Sequence, residues 1–175
     1  MAMQPTHSSN RILLPVKGWF ITLTLFIALF LNLLPLGRIS GVPDWVALVL
    51  AFWCVREPLK VGMATGFALG IIADVADASL MGQHAFAYVL LAFAAGSLSR
   101  RILWFPLMEQ ALHILPLLFG AQLVMLLVRM IGGAEFPGVL YLVAPLIATA
   151  LWYPLTYLLL IPQFRPVDRD ENRPI

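Results

Sequence analysis

Gly62, Gly66, Gly70 and Asp74 recur at intervals of four, and no other spacing in the chain is as suggestive of a dedicated surface. On a helix they make one slowly drifting stripe that carries no bulk until it reaches a carboxylate. Asp77 follows at i+3, hence as a neighbour on the same side, and His84 is the next titratable group. A carboxylate within a bilayer is costly and by default marks a proton relay or an ion site. Two carboxylates with an imidazole could also form a metal donor set. Each feature has a plainer reading as well. If the helix ends near Ala73, both aspartates sit among lipid headgroups and His84 opens the following helix. The path from Asp74 to His84 crosses a turn and matches no ligand motif, so no metal site and no cofactor is assigned. Small residues every four positions let a second helix backbone come close. Packing within the chain is the first use to expect of Gly62, Gly66 and Gly70, and a docking face for a partner helix the second. Gly82, in the turn beyond Asp77, completes the candidate set.

The remaining polar residues invite local explanations. Glu109 and His113 stand at i and i+4, a spacing that suits a pair on one helix. Arg129 can snorkel along its stem toward a membrane surface, with Glu135 within reach if the chain folds back. Asn32 and Gln122 are expected to make interhelical hydrogen bonds. Cys54, the one cysteine, lies in an apolar run with no thiol or histidine at ligand spacing and reads as a small buried hydrophobe. The sequence contains no Ser/His/Asp or Cys/His constellation, no HExxH and no phosphate-cradling glycine loop ending in Lys-Ser/Thr. An enzyme is not expected.

The elements that would hold these residues follow from composition. Of 175 residues, 61% are hydrophobic and 11% charged, with a formal net charge of +2, and the mean hydropathy is +0.91. Soluble domains carry about 25% charged residues, so this chain has too little polar surface to face water throughout. Its eleven Lys and Arg residues are scattered between apolar blocks with no contiguous basic face, which argues against nucleic acid. The apolar blocks run over 18–36, 42–55, 59–78, 84–99, 107–132 and 137–162. A helix rises about 1.5 Å per residue, so about 20 residues cross the hydrocarbon core, and the alternation needed for β-spans is missing. The expectation is an all-α, polytopic membrane bundle of six transmembrane helices forming one domain over 18–162, between tails at 1–17 and 163–175. The first block is too long for a signal-peptide core and lacks a small-x-small cleavage site, so it reads as a retained anchor. The second block is the short one, either a thin span or a re-entrant segment.

Basic residues orient the bundle. With six spans and the N-terminus inside, Arg11, Lys17, Arg56, Lys60, Arg100, Arg101, Arg165, Arg169 and Arg173 lie on one side and Arg38 and Arg129 on the other, nine against two. If the second block does not cross, the best count is eight against three. Six spans with both termini in the cytoplasm are therefore expected. Trp19, Trp45, Trp53 and Trp104 stand near block ends, as an aromatic belt requires, with Trp152 and Tyr153 deeper. Pro116, Pro145 and Pro154 fall within blocks and predict kinks. No internal repeat is visible.

The stretch Gly62…Gly66…Gly70-Ile71-Ile72-Ala73-Asp74, followed by Ser79-Leu80-Met81-Gly82-Gln83-His84-Ala85-Phe86-Ala87-Tyr88, resembles the glycine, aspartate and tyrosine signature of the MreD family of rod shape-determining proteins. Pro43-Asp44-Trp45, Phe52-Trp53-Cys54-Val55 and Pro58 also look like that family. The motif positions that match are Gly66, Gly70, Asp74 and Gly82. The resemblance implies a noncatalytic component of the bacterial inner membrane, within the cell-elongation machinery that builds peptidoglycan. It implies work beside MreC, the MreB filament, RodA and its transpeptidase. It also implies a distant shared fold with the substrate-binding subunits of energy-coupling-factor transporters. That relationship supplies the rival expectation, a substrate-binding subunit of a small-molecule transporter.

Overall fold

The computed structural model describes residues 16–34 and 41–163. The expected tails lie almost wholly outside the described residues, as do the end of the first apolar block and Arg38. The described chain forms six α-helices and no strand: α1 (Gly18–Leu33), α2 (Trp45–Arg56), α3 (Met63–Ala76), α4 (Gln83–Trp104), α5 (Leu107–Ile131) and α6 (Ala144–Leu160). A 3-10 turn over Val139–Val143 leads into α6. This is a helical membrane bundle. Three helical stretches, Gln83–Trp104, Leu107–Ile131 and Val139–Leu160, are long and apolar enough to cross a bilayer, while α1, α2 and α3 are shorter apolar helices.

Local chemistry sets the helix ends. Asp44 caps α2 by accepting the Ala47 N–H at 3.0 Å. Proline lacks an N–H and disfavours helical geometry in the residue before it. Phe105, before Pro106, is accordingly extended (φ −88°, ψ 152°), and α4 stops there while α5 begins at once. The fourth helix thus runs through Arg100 and Arg101 to Trp104, beyond the boundary expected at residue 99. Pro116 and Pro154 do lie inside α5 and α6, but Pro145 sits in the first turn of α6. In that position its missing N–H costs no helical hydrogen bond, so it starts the helix rather than kinking it.

The core is built around α2. Every residue from Val46 to Val55 is buried, because α1, α4, α5 and α6 all pack on this helix. At 12 residues α2 is about 18 Å long, short of a bilayer's hydrocarbon thickness. A helix enclosed by other helices satisfies its backbone internally and meets little lipid, so it need not match that thickness. Burial here also corrects the placement of Trp53 in the aromatic belt. Trp53 is fully buried, its indole N–H donates to Thr24 Oγ1 at 2.9 Å, and its ring meets Phe20 and Phe52 edge to face. Trp19 and Trp104, at the ends of α1 and α4, are the exposed tryptophans. Around the outside, Phe26 and Phe30 of α1, Phe67 and Val75 of α3 and Phe93 of α4 point away from the protein, as suits surfaces solvated by acyl chains.

The helices alternate in direction, which gathers the ends into two groups. One end holds Arg56, Lys60, Arg100 and Arg101, with the Lys60 ammonium donating to Val16 O at 3.0 Å and lying 3.2 Å from Glu57. The other holds the last turn of α1, the start of α2, the α3–α4 turn, the last turns of α5 and the approach to α6. The candidate residues collect at this second end.

Candidate functional site

α3 and α4 approach closely because Gly66 and Gly70 present no side chain to α4. A Cβ built on Gly66 would lie 2.7 Å from the Tyr88 carbonyl oxygen, and one on Gly70 would overlap the Ala85 backbone. Both glycines therefore face α4 of the same chain. Gly62 does not share this role: it precedes α3 as its N-cap, and a Cβ there would meet nothing within 4 Å. Gly82 serves the turn instead, with a φ of +101° that side-chain-bearing residues rarely adopt.

Close approach of the two helices delivers Asp74 to the start of α4. The first N–H groups of any helix lack intrahelical partners, and Gly82, standing at the N-cap, has no side chain to offer them. The Asp74 carboxylate takes that role from the preceding helix. Its Oδ2 accepts the Gly82 N–H at 2.8 Å and the Ala85 N–H at 3.3 Å, and its Oδ1 accepts the His84 N–H at 2.8 Å. Oδ1 also lies 2.8 Å from His84 Nδ1 and accepts the Ser79 hydroxyl at 3.0 Å. The Asp74 side chain is fully buried. Its negative charge is further favoured by the N-terminal end of the α4 dipole. Thus Asp74 lies inside the protein and not among headgroups, and its oxygens are engaged by donors. Asp77 has a different setting. It caps the C-terminus of α3, its side chain is about half exposed (48%), and one oxygen lies 3.9 Å from His84 Nε2. The imidazole of His84 therefore stands between the two carboxylates. Among the described residues no group of three His, Cys, Asp or Glu is arranged to hold a metal.

A second carboxylate ties three helices together at the same end. Asp44 Oδ1 accepts Asn32 Nδ2 at 2.9 Å, Asn32 Oδ1 accepts the Trp45 N–H at 2.9 Å, and Asp44 Oδ2 accepts the hydroxyl of the buried Tyr88 at 2.7 Å. Asn32 thus makes the interhelical bonds expected of it. Gln122 does so only in that its amide donates to the Tyr141 carbonyl at 3.3 Å. Sequence reasoning did not single out Asp44 as a site residue. The available signal was an acidic residue immediately before a long apolar run, the mark of a helix N-cap.

Two expected pairs do not form as charge pairs. His113 Nδ1 lies 2.8 Å from the Glu109 backbone carbonyl, and its ring stacks on Phe105 with centroids 4.5 Å apart. The helix geometry offers the i−4 carbonyl more directly than the flexible carboxylate. Arg129 and Glu135 are also not paired. The chain turns tightly through Gly133, with the Ala134 N–H bonded to the Arg129 carbonyl at 3.2 Å, and leaves Glu135 exposed. Cys54 is fully buried and free.

Between these elements lies a cavity of about 700 Å³. Its polar lining includes Asn32, Asp44, Asp77, His84, Gln122 and Arg129. Sequence spacing brought Asp74, Asp77 and His84 together. Only the fold adds Asp44, Gln122 and Arg129, which come from helices distant along the chain.

A family model described as rod shape-determining protein MreD matches residues 11–161. The chain belongs to the MreD family. A curated relative, the rod shape-determining protein MreD of Haemophilus influenzae (strain ATCC 51907 / DSM 11121 / KW20 / Rd), is 34% identical over 73 residues, which cover 40% of this chain and 45% of that relative. The matched stretch thus spans less than half the length of the relative. No solved structure matches the chain. MreD membership and the apolar helices together make this a bacterial membrane protein.

Proposed function

We propose that this MreD-family protein is a noncatalytic inner-membrane adaptor that holds MreC, and through it MreB, RodA and the transpeptidase of the peptidoglycan synthesis complex, by helix packing and short-loop contacts. The observation that carries the reading is the family match over residues 11–161. The chemistry of the bundle supports it. The most buried carboxylate among the described residues, Asp74, is consumed by N–H and O–H donors, as a capping group is and as a general base is not. With the basic end of the bundle in the cytoplasm, both termini lie inside and the cavity end faces outward. Gly66 and Gly70 are directed at α4, so partner contacts fall to the outer faces and to the turn that Asp77 and Gly82 shape.

The test is deletion in a rod-shaped host followed by complementation. The expected result is loss of rod shape and of MreC localisation, both restored by the wild-type gene, with MreC co-purifying with the protein. Unchanged shape and unchanged MreC localisation would overturn the proposal. A second reading, a substrate-binding subunit of a small-molecule transporter, is favoured by the cavity of about 700 Å³. It requires a partner ATPase and saturable uptake of a soluble substrate, neither of which the adaptor needs.

A further inference from the structure

The cavity at the α3–α4 turn presents separated opposite charges. On one wall stands Arg129 of α5, whose Nε is buried and has no hydrogen-bond partner among the described residues, and which makes no ion pair there. On the other stands the Asp77 carboxylate, about half exposed, with one oxygen 3.9 Å from His84 Nε2. Asp44, also in the lining, is already committed to Asn32, Ala47 and Tyr88. A partly buried guanidinium and carboxylate held apart in one cavity are each under-compensated, and a ligand carrying both an anion and a cation satisfies them together. The lining also has an apolar edge open to the outside: Leu33 and Leu80 both border the cavity and are about half exposed, at 48% and 50%. The cavity lies where helices end, which in a bundle crossing a bilayer is the depth of the headgroups.

We propose that this cavity is a binding site for a phosphoethanolamine headgroup. Arg129 holds the phosphate, and Asp77 holds the primary ammonium. The open apolar wall at Leu33 and Leu80 lets the acyl chains of a phospholipid leave sideways into the bilayer, which makes phosphatidylethanolamine the favoured source over a soluble phosphoethanolamine. The inference stands apart from the adaptor reading, because a failure of headgroup binding leaves the deletion phenotype unaffected.

The experiment uses the full-length protein in detergent, with the thermal unfolding midpoint followed as short-chain phospholipids are titrated. Dioctanoyl phosphatidylethanolamine is expected to raise the midpoint saturably. The phosphatidylcholine analogue, whose ammonium has no N–H to donate, and the phosphatidylglycerol analogue, which has no ammonium, are expected to bind at least tenfold more weakly. Arg129→Gln is expected to weaken phosphatidylethanolamine at least tenfold, and Arg129→Lys to recover part of the loss. Equal shifts by all three lipids, or an Arg129→Gln protein that binds phosphatidylethanolamine as tightly as the wild type, would overturn the proposal. The lipid comparison needs only wild-type protein, so it decides even if the variants do not fold. Glycerophosphoethanolamine, titrated alone, separates the sources: a saturable shift as large as the lipid's supports the headgroup site with a soluble ligand, and a shift from the lipid only supports the bilayer.

Discussion

Replacing Asp74 with Asn separates a capping carboxylate from one that carries protons, because Asn keeps the shape and one acceptor while removing the charge. In the structure Oδ2 faces two backbone amides, Gly82 and Ala85, and Oδ1 faces the His84 amide, the His84 ring and the Ser79 hydroxyl. The new NH2 group must replace one of these oxygens. Placed at the Oδ2 position it opposes two N–H donors that cannot turn away. At the Oδ1 position it opposes one backbone amide, since the Ser79 hydroxyl can rotate and the imidazole can change tautomer. The second placement is cheaper, leaving one buried amide unsatisfied at about 1–3 kcal/mol. Loss of a negative charge from the N-terminus of α4 adds about 0.3–1 kcal/mol. The expected destabilisation is therefore about 1–4 kcal/mol. It should be read from reversible unfolding in mixed micelles of dodecyl maltoside and dodecyl sulfate, alongside hydrogen exchange of the amides of residues 82, 84 and 85. Exchange should speed up in the first turn of α4 and leave the middle of α2 protected. A loss under about 0.5 kcal/mol with unchanged exchange would refute the capping role, since even a weak cap contributes that much. Full stability combined with lost cell-shape function would instead point to a functional charge.

Other substitutions probe the same end of the bundle. Gly70→Leu should prevent α3 from closing on Ala85 and abolish the folded, monodisperse protein on size exclusion, whereas Gly62→Ala, with open space around it, should change the unfolding midpoint little. Gly82→Ala keeps every contact but forces a φ of +101° on a side-chain-bearing residue, and should cost about 1–3 kcal/mol in the same micelle titration. Tyr88→Phe removes the donor to Asp44 Oδ2, so about 1–3 kcal/mol should be lost, and Asp44→Asn in the same protein should recover part of it in a double-mutant cycle.

Much of the fold is legible in the sequence because lipid and backbone chemistry act locally. A chain with 11% charged residues gathered at the edges of apolar blocks has few options other than membrane helices. The two boundaries set by strong local signals, Asp44 before α2 and Pro106 between α4 and α5, need no tertiary information. The glycine interval also gave away a close helix approach. What it withheld was the partner, since a small-residue stripe fits any helix backbone, whether in the chain or outside it. Trp53 was misplaced for a related reason. A tryptophan near a block end looks the same whether the block lies at the edge of the bundle or at its centre, and only the packing of α1, α4, α5 and α6 around α2 distinguishes them.

The sequence by itself determined the solvent, the helices and the candidate trio of Asp74, Asp77 and His84, all through interactions spanning at most a turn or a hairpin. The tertiary structure alone decided that Asp74 is buried and spent on capping while Asp77 remains half exposed, although the two are three residues apart. Burial is a property of what the other helices cover: the first turn of α4 closes over Asp74, while Asp77 borders the open cavity. The same assembly brings Arg129 and Asp44, 85 positions apart in the chain, to the lining of one cavity. No sequence spacing encodes that meeting, because it depends on α1, α2, α4 and α5 docking together at a common end.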